Sequence, residues 1–93
     1  MKSNFSKEVK NWKELEPGTK IKIPKKTGSY YLNSNGEKHY MHDSGIYTIN
    51  EKKFNGLVVH GKEGFSFVYM GEEKPSSVVP NVYNCPHQIL VNE

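Results

Sequence analysis

From Thr19 onward, polar and apolar positions alternate. TKIKIP, residues 19–24, places Ile21 and Ile23 on one side and Lys20 and Lys22 on the other. That is the period of a strand with one buried face and one charged face. Ser29–Leu32 reads as a second strand. Asn33-Ser34-Asn35-Gly36 reads as a hairpin turn, because Asn and Gly tolerate the positive φ a tight turn needs. Glu37–Met41 pairs back across it. Ile46–Asn50 is the next strand, with Glu51–Lys53 as a turn, followed by Phe54–His60. Gly61–Gly64 turns the chain into Phe65–Met70, where Phe65, Phe67 and Tyr69 share one face and Ser66, Val68 and Met70 the other. Gly71–Ser77 reads as a polar loop, with Val78–Val79 and Gln88–Val91 as short closing strands around a proline-rich bend. Strands recurring about every 8–12 residues with turn chemistry between them predict a small barrel or sandwich.

The first segment has a different period. Phe5, Val9, Trp12 and Leu15 fall on one side at helical spacing, with Lys7, Lys10 and Glu14 facing away. A helix over residues 4–16 is expected, capped by Ser3, Asn4 or Ser6 and stopped by Pro17 and Gly18. The fold expected is one mainly β domain over 1–93. It consists of a five-to-seven-stranded barrel over 19–91 and the short N-terminal helix, which Trp12 anchors to the domain or to a partner.

Composition narrows the function classes. The 93 residues are 34% hydrophobic with a mean hydropathy of −0.77, enough for one modest core. No apolar run approaches the roughly 20 residues of a membrane span, and MKSNFSKEVKNW lacks the apolar middle of a secretory signal; a cytoplasmic protein without membrane contact is expected. The single cysteine, Cys85, excludes an internal disulfide framework. All 13 basic residues are lysine, so no guanidinium fork exists to clamp carboxylates or read guanine. The absence of alanine lowers the helix expectation. Residues 1–62 carry 12 lysines against 6 acids, whereas residues 63–93 carry one lysine against four. A basic face is therefore expected toward the first two-thirds of the chain.

Residues 65–83, FSFVYMGEEKPSSVVPNVY, resemble the last third of a Src-homology-3-like barrel. In that family an aromatic strand is followed by a turn, a short strand ending in proline and a tight helical turn carrying a tyrosine. Pro80 and Tyr83 have that three-residue offset, and Phe67 sits where the family places its aromatic strand residue. LEPGTKIKIP, residues 15–24, is similar to the opening strand of such barrels. The chain lacks the family's paired tryptophan and its early tyrosine motif. The resemblance therefore implies a fold, not proline-peptide binding.

Several side chains invite a chemical reading. His39, His42, His60, Cys85 and His87 supply enough nitrogen and sulfur for one zinc. However, residues three apart on a strand point to opposite faces, and no CxxC or HExxH spacing appears. The plainer reading places His39 and His42 on the surface at a strand end, with Asp43 in an Asx turn bonding the backbone two residues on. Cys85 and His87 flank Pro86, an unfavourable setting for a nucleophile and its base. Paired carboxylates and a phosphate cradle are also missing, so no catalysis, cofactor or small-molecule substrate is expected. Lys20, Lys22, Lys25 and Lys26 cluster near Tyr30, Tyr31, Tyr40 and Tyr47, which suits a phosphate backbone and stacked bases. The plainer alternative is a solvated lysine face over a tyrosine-containing core.

Six tyrosines exceed what one thin core needs, and tyrosine-rich rims suit protein recognition. The function expected is a non-enzymatic binding module for a protein partner, acting as adaptor or inhibitor. Tyr30, Tyr31, Tyr40, His42 and Tyr83 would form the contact, with Lys25 and Lys26 steering encounter. Short lysine- and asparagine-rich chains are typical of phages and other mobile elements, whose small proteins often occupy a host protein's working surface. A nucleic-acid-binding small barrel is the alternative, and a small zinc domain the second.

Overall fold

Alternating side chains lay down ten strands among the described residues, 5–92, of the computed structural model. They are β1 (Phe5–Glu8), β2 (Lys20–Ile23), β3 (Tyr30–Leu32), β4 (Lys38–Tyr40), β5 (Gly45–Lys53), β6 (Gly56–Gly61), β7 (Gly64–Tyr69), β8 (Lys74–Pro75), β9 (Val82–Asn84) and β10 (Leu90–Asn92). They form two antiparallel sheets, a six-stranded one in the order β1-β10-β2-β5-β6-β7 and a four-stranded one in the order β4-β3-β9-β8. The fold is mainly β, but the expected closed barrel is not found. β1 and β7 are the two open edges of the larger sheet. Alternation dictates which face of a strand is buried, whereas closure requires strand tilt and stagger to match around a ring, and nothing in the alternation specifies that.

The expected helix over 4–16 is also not found. Residues 5–8 form β1, paired antiparallel with β10 through Lys7 opposite Val91 and Glu8 opposite Leu90. Among the described residues of that range only Trp12–Glu14 is helical, as a single 3-10 turn capped by Asn11, whose Oδ1 accepts the Lys13 N–H at 3.2 Å. Two of the caps considered, Ser3 and Asn4, lie outside the described residues, and Ser6 is a strand residue. Yet Val9, Trp12 and Leu15 do pack against the core. The apolar spacing chose the inward side chains. The backbone then took the long-range partner offered by β10 over three turns of helix that are marginal alone.

Other strand assignments differ as well, among them β8, which lies within the expected Gly71–Ser77 loop and pairs with β9. β5 runs through Glu51–Lys53, the expected turn, because a bulge between Ile49 and Glu51 lets the ladder with β6 continue. The bulge also brings Lys52 round so that its Nζ donates to the Lys13 carbonyl at 2.9 Å. Val78–Val79 is an exposed bend instead of a strand, with both N–H groups on Ser76 Oγ. The closing strand of that region is β9. The Asn33–Gly36 turn forms as read: Asn33 Oδ1 accepts the N–H groups of Asn35 and Glu37, each at 2.9 Å, and Gly36 has φ +79°.

The core lies on the inner face of the larger sheet. Ile21, Ile23, Ile49, Leu57, Val59, Val68 and Ile89 are essentially inaccessible to solvent and form one cluster. The smaller sheet contributes nothing to that cluster; its one buried strand residue is Tyr30. No helix among the described residues is long and apolar enough to cross a membrane.

Candidate functional site

The candidate residues divide into three assemblies. The first is a tyrosine ladder across the smaller sheet. Cross-strand pairing sets Tyr30 opposite Tyr40 on β4 and opposite Tyr83 on β9. The ring centroids are 5.7 Å apart for Tyr30–Tyr40 and 5.3 Å for the stacked Tyr30–Tyr83 pair, within the range for favourable aromatic contact. Lys38 Nζ lies 4.7 Å from the Tyr30 ring centroid. Tyr30 is buried, and Tyr40 and Tyr83 are half-buried. Tyr31, one residue on, points to the opposite face and stacks on His39 at 5.0 Å. The five residues expected to share one rim are therefore not together. Tyr30, Tyr40 and Tyr83 converge, Tyr31 faces away, and His42 belongs elsewhere. Tyr83 is a strand residue of β9, not part of a helical turn.

Beside the ladder, a cleft of about 270 Å³ is lined by Lys26, Tyr30, Tyr40, Glu73 and Cys85 among others. The Cys85 thiol donates to Glu73 Oε2 at 2.7 Å. Burial and that carboxylate push its pKa up to about 11, so the thiolate that nucleophilic or metal chemistry needs is scarce at neutral pH.

The second assembly is a histidine pair against the inner face of the larger sheet. His42 and His87 meet edge to face with ring centroids 4.9 Å apart. Ser66 Oγ lies 2.7 Å from His42 Nε2. His87 is 4% exposed and its Nδ1 has no hydrogen-bond partner. The ring lies directly on the Gly28 backbone, and a Cβ there would come within 2.0 Å of it. Asp43 does not act through its side chain as expected; its carbonyl accepts the Tyr47 hydroxyl at 2.7 Å. His60 packs against Phe65 at a tilt on the outer face, His39 stacks on Tyr31, and Cys85 lies with Glu73. The five zinc candidates are thus dispersed, and no group of three metal-capable side chains occurs among the described residues.

Burial, and secondarily the neighbouring His42, lower the His87 pKa to about 4; burial also lowers that of His42, against the raising effect of Asp43. The folded ring refuses a proton that the unfolded chain accepts below the ordinary value of about 6.5. Stability is therefore full above that value and falls as pH drops toward 4, by up to about 1.4 kcal/mol per pH unit. Denaturant melts at pH 7, 6 and 5 are expected to show this slope, and His87→Asn should flatten it. An equal slope in the variant would contradict the assignment.

No family model, curated protein or solved structure matches the chain.

The third assembly was not foreseen as a site. On β7 the aromatic face, not the Ser66/Val68/Met70 face, is turned to solvent: Phe65 is 69% exposed and Phe67 41%, while Val68 is fully buried. Register places Phe65 beside His60, Thr48 and Lys20 in one row across four strands, and Phe67 beside Val58 and Glu51 in the next. Ile46, 45% exposed, and Phe54, 89% exposed in the β5–β6 turn, add to the exposed apolar surface. The signal was present in the period-two pattern of FSFVYM. Alternation identifies the two faces but does not say which one meets the core.

Proposed function

We propose that the chain is a binding module for a protein partner, acting as an adaptor or inhibitor, and that it engages the partner with the outer face of β6 and β7. The observation that supports this is the pair of solvent-facing phenyl rings, Phe65 and Phe67, on a regular strand beside Val58 and His60. Exposed aromatic side chains held by regular structure lose little entropy when covered, and aromatic anchors dominate binding energy. The tyrosine ladder has less exposed surface to offer, because its central ring is already buried.

The double substitution Phe65→Ser/Phe67→Ser tests this. The Phe65 ring is mostly solvated and the Phe67 ring partly covers Gly56, so the variant should stay folded with a modestly lower thermal midpoint. Proteins retained from a native lysate by the wild-type chain should be lost by the variant, with at least tenfold weaker binding once a partner is isolated. Retention of the same proteins by the folded variant would refute the proposed face.

Nucleic acid is the second reading, favoured by one observation. Lys20, Lys22, Lys25 and Lys26 are exposed and form no ion pair among the described residues. Lys20 and Lys22 lie on the same outer face as Phe65. Binding to DNA or RNA that falls steeply with salt would support this reading, whereas a salt-tolerant protein complex supports the first.

A further inference from the structure

The two sheets have four edges, and three of them carry features that discourage pairing. β1 contains Lys7 and Glu8 and an irregular register between Phe5 and Lys7. β4 has only three residues and includes Lys38. β8 has only two, Lys74 and Pro75. Short length, charge, proline and bulges are the usual means of blunting an edge. β7 has none of these: it is six residues long, GFSFVY, with no charge, no proline and an unbroken register against β6.

The hydrogen-bond parity of β7 can be read from its end. The Met70 N–H donates to Asn55 on the β6 side at 2.9 Å. In an antiparallel ladder such pairs recur at every second residue. Val68, Ser66 and Gly64 therefore also bond toward β6, while Phe65, Phe67 and Tyr69 direct their backbone groups outward. The outward carbonyl of Tyr69 accepts the His87 N–H at 3.2 Å, which agrees with this parity and covers that end of the edge. No hydrogen bond among the described residues engages the outward N–H or C=O groups of Phe65 and Phe67.

We infer that this edge pairs antiparallel with β7 of a second copy of the chain, in a two-fold register centred on Ser66, joining the two six-stranded sheets. Only this centring sets both free positions against each other, Phe65 opposite Phe67 of the second copy and the reverse, and makes four backbone hydrogen bonds without disturbing Tyr69. The four phenyl rings then form one cluster on the outer face. Lys62 and Glu63 form the β6–β7 turn and lie beyond the paired segment. A foreign strand would satisfy the same backbone groups, but the two free positions lie two residues apart on an uncharged strand and become self-complementary about an axis through Ser66, which favours a second copy. The inference does not rest on the partner reading: both use Phe65 and Phe67, but the pairing is carried by backbone groups of the edge, and Phe67→Pro tests it at a donor the partner reading does not use.

Sedimentation of the wild-type chain across a concentration series is expected to show a mass approaching twice 10.7 kDa. Phe67→Pro removes an outward donor without touching the β6 ladder, and should remain monomeric at the same concentrations, whereas Phe67→Ser keeps the donor and should dimerise more weakly. In a Cys85→Ser background, Ser66→Cys should form an intermolecular disulfide on mild oxidation, because Ser66 opposes its own copy at the close, non-hydrogen-bonded spacing. Phe67→Cys in the same background should crosslink far less. A wild-type chain that stays monomeric, or a dimer that Ser66→Cys fails to crosslink, would overturn the inference. Neither result depends on whether a foreign partner is captured.

Discussion

Leu57→Ala is expected to lower stability by about 2–5 kcal/mol. Leu57 sits at the middle of the core on β6, opposite Val68 on one neighbour and Lys52 on the other, and is fully buried. Truncation removes its transfer free energy and leaves a cavity that neighbouring strands, held by their ladders, collapse into only in part. In a chain of this size each kcal/mol moves the thermal midpoint by roughly 4–8 °C, so a fall of about 8–40 °C should appear in a calorimetric melt. Among the described residues the core cluster has seven such side chains, which leaves little reserve. Ile46→Ala is the control. Ile46 faces solvent on the adjacent strand, and its loss should change stability by about 0.5 kcal/mol or less. Comparable losses at the two positions would mean that the outer face is not solvated as described.

The second large effect is expected at a glycine. Gly28→Ala combines two penalties. Its φ of +83° is one that alanine adopts only with strain, and the added Cβ would fall 2.0–2.4 Å from three atoms of the buried His87 ring. The ring cannot swing away freely, because it is packed against His42 and the His87 N–H is tied to the Tyr69 carbonyl. Gly18→Ala separates the two penalties: Gly18 has a similar φ of +93° but open space where its Cβ would go. The Gly18 variant should lose about 1–2 kcal/mol from backbone strain alone. The Gly28 variant should lose a further 1–3 kcal/mol from overpacking, and its pH slope should change because the histidine pair is displaced. Equal losses in denaturant melts would show that His87 yields without cost.

These two positions differ in how visible they were beforehand. Ile21 and Ile23 were legible as core because a strand's two faces alternate. The Asn33–Gly36 hairpin was legible because its residues carry their own turn geometry. The β5–β6 turn falls at Phe54–Asn55 and not at Glu51–Lys53, where the charges suggest it. The charged triplet looks like a loop, and the bulge after Ile49 that keeps it in the strand has no local signature. The clue to the correct turn was the following Asn55-Gly56 pair. Gly28 carried no sign of its packing role, since its constraint comes from a histidine 59 positions later in the chain.

The functional surfaces follow the same division. Local residue types and periods determined that this is a β-rich chain, which side chains on each strand travel together, where several turns fall and which lysines stay exposed, because these properties need only near neighbours along the backbone. Pairing decided the rest: that residues 5–8 join β10 instead of coiling, that the sheets stay open, that His42 meets His87 while the other metal candidates disperse, and that Phe65 and Phe67 face water on an unprotected edge. Each of these depends on contacts between segments distant in sequence, whose free energy outweighs local preference once a long-range partner strand is available.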